Sequence, residues 1–175
     1  YNKTGAEIKI DQSTHFGLLN ASGTFNNEAK LLIGAVAIPG NFGLVNDAIF
    51  NNNSGSEISI DRSTEVGLLN EATGLFNNAA KINIGTLAAV GFNGLENGAT
   101  FNNNVGGEIS IDQSSDIGLL NYDGIFTNSA KLSIGALASV GDYGIQNAAT
   151  FNNNACALLH MFAPLNNNNT FTNSG

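Results

Sequence analysis

Charge and cysteine are both scarce in this chain, and each shortage narrows the classes of function open to it. Charged residues make up 11% of the sequence, and the formal net charge is −8. A phosphate backbone is bound by clustered Lys and Arg, so this composition excludes a nucleic-acid partner. A single cysteine excludes an intrachain disulfide. We interpret Cys156 as a small buried hydrophobic residue rather than a reactive thiol.

Long apolar runs are also missing, although short ones recur from end to end. The sequence has no stretch of 18 apolar residues, so we expect no membrane insertion in this segment. Its Ile, Leu and Phe residues are numerous enough to form a core, and residues 1–175 are expected to form a single unit. The sequence has neither an initiator Met nor a signal peptide, so we expect it to be part of a longer, processed protein or fibre.

A repeat of about 25 residues organises the whole chain. Three near copies, EIKIDQSTHFGLLN at 7–20, EISIDRSTEVGLLN at 57–70 and EISIDQSSDIGLLN at 108–121, reveal a super-repeat of about 50 residues. Phenylalanine recurs once per unit, at Phe25, Phe50, Phe76, Phe101, Phe126, Phe151 and Phe171. Asparagine closes each GLLN-like stretch, at Asn20, Asn46, Asn70, Asn97, Asn121 and Asn147.

Each unit contains three short apolar segments, which are bounded by Gly and Asn. The EISI segments alternate with the period of a strand, and no segment has the length or spacing of a helix. The pattern therefore predicts an all-β, right-handed, three-sided parallel β-helix of about seven coils. Phenylalanines should stack in its core, and the corner asparagines should form amide ladders. Residues 156–175 are expected to form an atypical, shorter last coil, and Tyr1 is expected at the position of a core Phe.

Opposite charges alternate at one strand position from coil to coil: Glu7, Lys30, Glu57, Lys81, Glu108 and Lys131. Stacking identical coils would place like charges side by side, which destabilises neighbouring strands. Alternation replaces this repulsion with a ladder of opposite charges. Because exposed pairs are each worth only about 0.2–1 kcal/mol, we expect the ladder to fix register more than to stabilise the fold.

This repeat pattern, with three strands per coil and with GLLN and TFNNN corners, resembles the right-handed parallel β-helix repeats of large secreted bacterial surface proteins. Filamentous-haemagglutinin-type adhesins and Gly/Asn-rich surface repeats are the families it is similar to. The resemblance implies an extracellular or cell-surface location and an elongated structural or adhesive role. It carries no catalytic motif and no binding residue.

Candidate catalytic, cofactor and metal residues do not converge in this repeat. Asp11, Asp61 and Asp112 occupy one position on alternate coils, about 10 Å apart, too far to share a metal ion. His15 and His160 are separated by most of the chain. We therefore predict no enzyme activity, cofactor or metal site, and interpret the aspartates as strand-end or turn residues. A polysaccharide-binding or polysaccharide-degrading β-helix is the alternative, and an ice-binding solenoid is the third possibility.

An apolar surface is the remaining candidate for contact with a partner. The variable position of GLLN places Leu19, Leu69 and Leu120 on the outer side of alternate coils, and the long corners add Phe42, Phe92 and Tyr143. These residues would form stripes for assembly with another copy, or for adhesion to a cell-surface polysaccharide. Alternatively, the corners fold these side chains against the coil. The sequence thus predicts a non-catalytic fibre subunit or adhesin stalk that assembles through side stripes or coil ends.

Overall fold

The computed structural model describes residues 1–71 and 73–174, which contain strands and no helix. Its strands form three parallel sheets of seven strands each. The first sheet contains β1 (Glu7–Ile10), β4 (Lys30–Ile33), β7 (Glu57–Ile60), β10 (Lys81–Ile84), β13 (Glu108–Ile111), β16 (Lys131–Ile134) and β19 (Leu158–Met161). The second contains β2 (Phe16–Asn20), β5 (Phe42–Asn46), β8 (Val66–Asn70), β11 (Asn93–Asn97), β14 (Ile117–Asn121), β17 (Tyr143–Asn147) and β20 (Leu165–Asn167). The third contains β3 (Thr24–Asn27), β6 (Ile49–Asn52), β9 (Leu75–Asn78), β12 (Thr100–Asn103), β15 (Ile125–Asn128), β18 (Thr150–Asn153) and β21 (Thr170–Asn173).

Each strand pairs with the equivalent strand of the next coil. In the first sheet, for example, Glu57 lies between Lys30 and Lys81 in the register of β4, β7 and β10. The chain passes through each sheet seven times, so the predicted all-β parallel solenoid is confirmed. Parallel strands usually need long crossovers. Here the other two sides of the coil provide that crossover.

The core runs unbroken along the axis because one side of every strand faces inward. Ile58, Ile60, Leu68 and Phe76 show the pattern of a single coil, and all four are fully buried. The seven predicted phenylalanines form one column in the third sheet, with ring centroids 4.7 to 5.0 Å apart and the rings stacked. Each buried side chain of this size stabilises the fold by about 1.5–3 kcal/mol.

Two ladders of asparagine side chains run inside the coil, next to this core. In the predicted ladder each Nδ2 donates to the Oδ1 of the next coil over 2.7 to 2.9 Å, from Asn20 through to Asn167. A second ladder, not predicted, follows the third sheet with the same geometry at Asn2, Asn27, Asn52, Asn78, Asn103, Asn128, Asn153 and Asn173. Up to Asn147 and Asn153 the amides of the two ladders are therefore both buried and hydrogen-bonded, as buried polar groups need to be, whereas Asn167 and Asn173 in the last coil are exposed.

The second sheet departs from simple alternation at its glycines. A Cβ on Gly67 would lie 2.6 Å from the carbonyl oxygen of Gly94 and 2.7 Å from Cγ2 of Ile84. Gly67 therefore faces the core, as does the next residue, Leu68, which is fully buried. Two consecutive inward residues mean that Val66 and Leu69 lie together on the outer side.

Two details of the sequence interpretation change at the ends of the stack. Tyr1 is not at a core Phe position: Asn2 pairs with Asn27, and Tyr1 is 61% exposed. Cys156 is exposed rather than buried, because it lies in a tight corner with a φ of 66°. The last coil has no long corner between its first two strands, yet Met161 and Leu165 still pair with Ile134 and Ile145.

Candidate functional site

The corner between the first and second sheets alternates between a short and a long form. Short corners span 11–15, 61–65 and 112–116, and long corners span 34–41, 85–92 and 135–142. Because the two forms alternate, the long corners project from the stack once every two coils. This corner also contains the three aspartates that were the main candidates for chemistry.

Each of these aspartates caps the long corner of the next coil. Oδ1 of Asp61 accepts hydrogen bonds from the backbone N–H groups of Leu87 (2.9 Å) and Ala88 (3.2 Å). Asp11 and Asp112 accept equivalent bonds from Val36 (2.7 Å) and Leu137 (2.9 Å). Asp61 and Asp112 are fully buried, so these carboxylates fix corners and do not line an open cleft.

The remaining titratable side chains are dispersed. Among residues 1–71 and 73–174, no group of three or more His, Cys, Asp or Glu is close enough to hold a metal ion. The His15 ring lies 4.1 Å from that of Phe16, and the His160 ring lies 4.3 Å from that of Phe162 in the last coil. No helix in the described chain is long and apolar enough to span a membrane.

The strand register places the residues of the predicted charge ladder side by side, but most of their side chains do not form ion pairs. Glu7, Lys30, Glu57, Lys81, Glu108 and Lys131 occupy one row of the first sheet. Within the described residues, Lys131 and Glu108 form the one ion pair between coils of this row. Lys9 contacts Glu7 in its own strand at 2.9 Å. A hydrogen bond from Lys131 holds the pKa of Glu108 below its ordinary value.

The predicted apolar stripe on the second sheet is largely closed, because its side chains pack against one another. Leu69 is 6% exposed and packs with the buried Val45 and Val66, and Phe16 and Phe42 cover the cluster from the side. Because Gly67 and Leu68 both face inward, Val66 and Leu69 lie side by side on the outer side and pack together. The prediction of an exposed stripe is therefore wrong for Leu69, and it is only partly met by three half-buried residues: Phe42, Leu120 and Tyr143. Leu19 and Phe92 remain exposed.

A polar pair interrupts the same face at the middle of the stack. Nδ2 of Asn93 donates to Oε1 of Glu96 over 2.6 Å. Glu96 lies between Leu69 and Leu120 in the register of β8, β11 and β14. Burial raises the pKa of the Glu96 carboxyl, the charges of Glu71 and Glu65 raise it further, and the bond from Asn93 acts in the opposite direction.

The most exposed apolar row was missed by the sequence interpretation. Val36, Leu87 and Leu137 occupy the same position in the three long corners, and they are 79%, 66% and 79% exposed. The signal for them is the set of related segments GAVA, GTLA and GALA directly after each buried Ile. This row lies near the beginning of each long corner, whereas the predicted residues Phe42, Phe92 and Tyr143 lie at its end.

No family model matches this chain, and no curated protein or solved structure matches it either. The parallel solenoid is shown by the structure alone. Adhesin-type repeats therefore remain a proposed relationship.

Proposed function

We propose that this chain is a non-catalytic structural segment of an extracellular or cell-surface protein, acting as a fibre subunit or as the stalk of an adhesin. The observation that supports this most strongly is the continuity of the interior. One apolar core, one stack of phenylalanines and two asparagine ladders run along the described coils. Interiors built this way suit an elongated element with a mechanical role.

The function would follow from where the bonds point. Backbone hydrogen bonds between parallel strands run along the stack, and the asparagine ladders add side-chain bonds in the same direction. A load along the axis is then shared by all three sheets. Solenoid stability is a sum of neighbouring contacts, so each additional coil lengthens the element without requiring a new kind of contact.

Partners would be further copies of the chain or a cell-surface polysaccharide. Within the described residues, the end strands of the first and second sheets have an edge without a partner strand, and an additional coil of matching register would pair with it. The sides of the stack provide the other contact. With a net charge of −8, a side contact between copies is favoured where charge is sparse.

Sedimentation velocity over a wide concentration range, together with an assay for polysaccharide cleavage, tests this function. We expect self-association that rises with concentration, or retention on insoluble polysaccharide, in either case without release of reducing ends. Release of reducing ends at a rate proportional to protein concentration would contradict the proposal and favour a polysaccharide-degrading solenoid.

A further inference from the structure

A ridge of apolar side chains runs along the corner between the first and second sheets. The row of Val36, Leu87 and Leu137 forms its crest. Three further side chains on this corner are also more than half exposed: Ile38, Phe92 and Phe162. We call these six residues the corner ridge.

The ridge is held in place rather than carried on loose loops. Each long corner begins at a glycine with positive φ, at Gly34 (73°), Gly85 (67°) and Gly135 (76°). The aspartate caps then fix the backbone N–H groups of the crest residues. Arg62 adds bonds to the carbonyl oxygens of Gly34 (2.7 Å) and Ala35 (2.6 Å). A surface ordered in this way loses little conformational entropy on binding.

The exposed area of the ridge is close to what one side of a specific protein interface requires. With ordinary side-chain areas, its six residues expose on the order of 700 Å². A standard interface buries about 800 Å² per partner, and exposed apolar surface of this extent along one edge of a monomer is typical of an interaction site. Two ridges in contact would therefore reach the lower part of the range for specific complexes.

The uncharged crest of the ridge suits a second copy of this chain as the occupant. Corners 34–41 and 85–92 contain no charged residue and 135–142 contains only Asp142, whereas the short corners between them add Arg62, Glu65 and Asp116, whose side chains are half-buried. On a chain with a net charge of −8, the crest is where two copies meet with the least repulsion. The aspartates beneath it turn their carboxylates inward to the corner N–H groups.

We propose that the corner ridge binds the corner ridge of a second copy, with the two stacks antiparallel about a two-fold axis near Leu87. This inference rests on the proposed structural function and supplies its lateral contact. The crest residues are separated by two coils, about 10 Å. In the antiparallel arrangement Val36 of each copy therefore faces Leu137 of the other, as a two-fold interface requires.

Charge substitution on the crest provides the first test. Leu87→Lys should weaken dimerisation at least about tenfold in sedimentation equilibrium, because it places two like charges at the centre of the interface. Val105→Lys is the matched control, since Val105 is 83% exposed on a different corner. Equal dimerisation of the two variants would overturn the proposal. Both sites are exposed, so the circular dichroism spectrum should not change.

Cysteine cross-linking provides a second test that does not depend on affinity. In a Cys156→Ser background, Leu87→Cys should form a disulfide-linked dimer under mild oxidation much faster than Val105→Cys. Equal rates for the two variants would overturn the two-fold contact. A chain that stays monomeric at every concentration would also overturn it. Those results leave the proposed function standing as a stalk that is retained on polysaccharide, because cleavage of polysaccharide, not loss of the lateral contact, contradicts that function.

Discussion

At the scale of single residues, the asparagine amide is the group that makes this interior possible. An amide has two donors and an acceptor. Asn70 uses them fully: its Nδ2 donates to Asn97 Oδ1 (2.9 Å) and to the Thr100 carbonyl oxygen (3.1 Å), and its Oδ1 accepts from Asn46. A hydroxyl or a carboxylate could not repeat this pattern from coil to coil.

Asn70→Ala should therefore destabilise the fold by about 3 kcal/mol, because it leaves buried partners above and below without hydrogen bonds. Asn51→Ala is the matched control, since Asn51 belongs to a half-buried outer row in which it donates to Asn26 over 2.8 Å. We expect it to cost about 0.5 kcal/mol. Urea unfolding measures the free energy of unfolding of both variants. Equal losses of stability would show that the inner ladder stabilises the fold no more than the outer row does.

Glu96 should make stability depend on pH in the direction opposite to a salt-bridged carboxylate. Burial raises its pKa in the folded state, so the folded chain retains a proton that the unfolded chain has already released. Stability then falls as the pH rises through the interval between the ordinary and the raised pKa. Glu96→Gln keeps an acceptor for Asn93 but does not titrate.

Unfolding measured from about pH 4 to about pH 7 should therefore show Glu96→Gln gaining stability relative to the natural chain as the pH rises. Parallel profiles for the two proteins would contradict this account of Glu96. They would mean that the carboxylate is well solvated between Leu69 and Leu120.

Residue roles could be predicted from the sequence where one residue type recurs at the same position of every coil. Phe76 and Asn70 were placed correctly for that reason. Asp61 was predicted as a strand-end or turn residue, and it lies directly after β7. Its hydrogen-bond partners were not predicted, because they are backbone N–H groups of the next coil's corner, which leave no sequence pattern. Leu87 was missed for a related reason, since exposure depends on the path of a long corner.

At the scale of elements, the strands of the second sheet depend on a column of glycines. Gly17, Gly43, Gly67, Gly94 and Gly118 each face the glycine carbonyl of the next coil. Their strands therefore approach one another where a side chain would not fit. The sequence interpretation treated glycine mainly as a corner residue. It therefore missed that the Gly and the first Leu of GLLN, two consecutive residues, both face inward.

Gly67→Ala should destabilise the fold by about 3 kcal/mol, because the new methyl group would overlap backbone that pairing holds in place. Gly55→Ala is the control, because it tests the cost of a positive φ without the steric overlap. Gly55 has a φ of 85° but open space around it, so we expect a loss of about 1 kcal/mol. Thermal unfolding should rank the two variants, and equal stability would contradict the close approach.

The first sheet shows how far charge can be used to predict register. Alternation of Glu and Lys predicted which strands lie side by side, and Glu108 and Lys131 are paired in this register. The same register does not cause the other Glu and Lys side chains of this row to form ion pairs. Holding two long exposed side chains together costs entropy and gains little Coulomb energy in water, so neighbours such as Lys30 and Glu57 face each other without an ion pair.

At the scale of the whole molecule, the fold was predictable because one period sets every strand. A repeat of about 25 residues with three apolar segments has few ways to bury them all, and stacking in parallel achieves it. The surfaces were less predictable. Leu69 is buried by neighbouring side chains, whereas Leu87 is exposed on a long corner. Neither outcome follows from the period of the repeat.

Side-chain hydrogen exchange measured by NMR tests the central claim most directly, which is that continuous internal ladders keep the coil stack closed as a structural element requires. We expect the Nδ2 protons of Asn70, Asn97, Asn78 and Asn103 to exchange as slowly as the backbone amides of β8 and β12, because both are released only when coils separate. Exchange of these side-chain protons within seconds, beside protected backbone amides, would contradict the claim. It would mean that the ladders open independently and do not hold the stack.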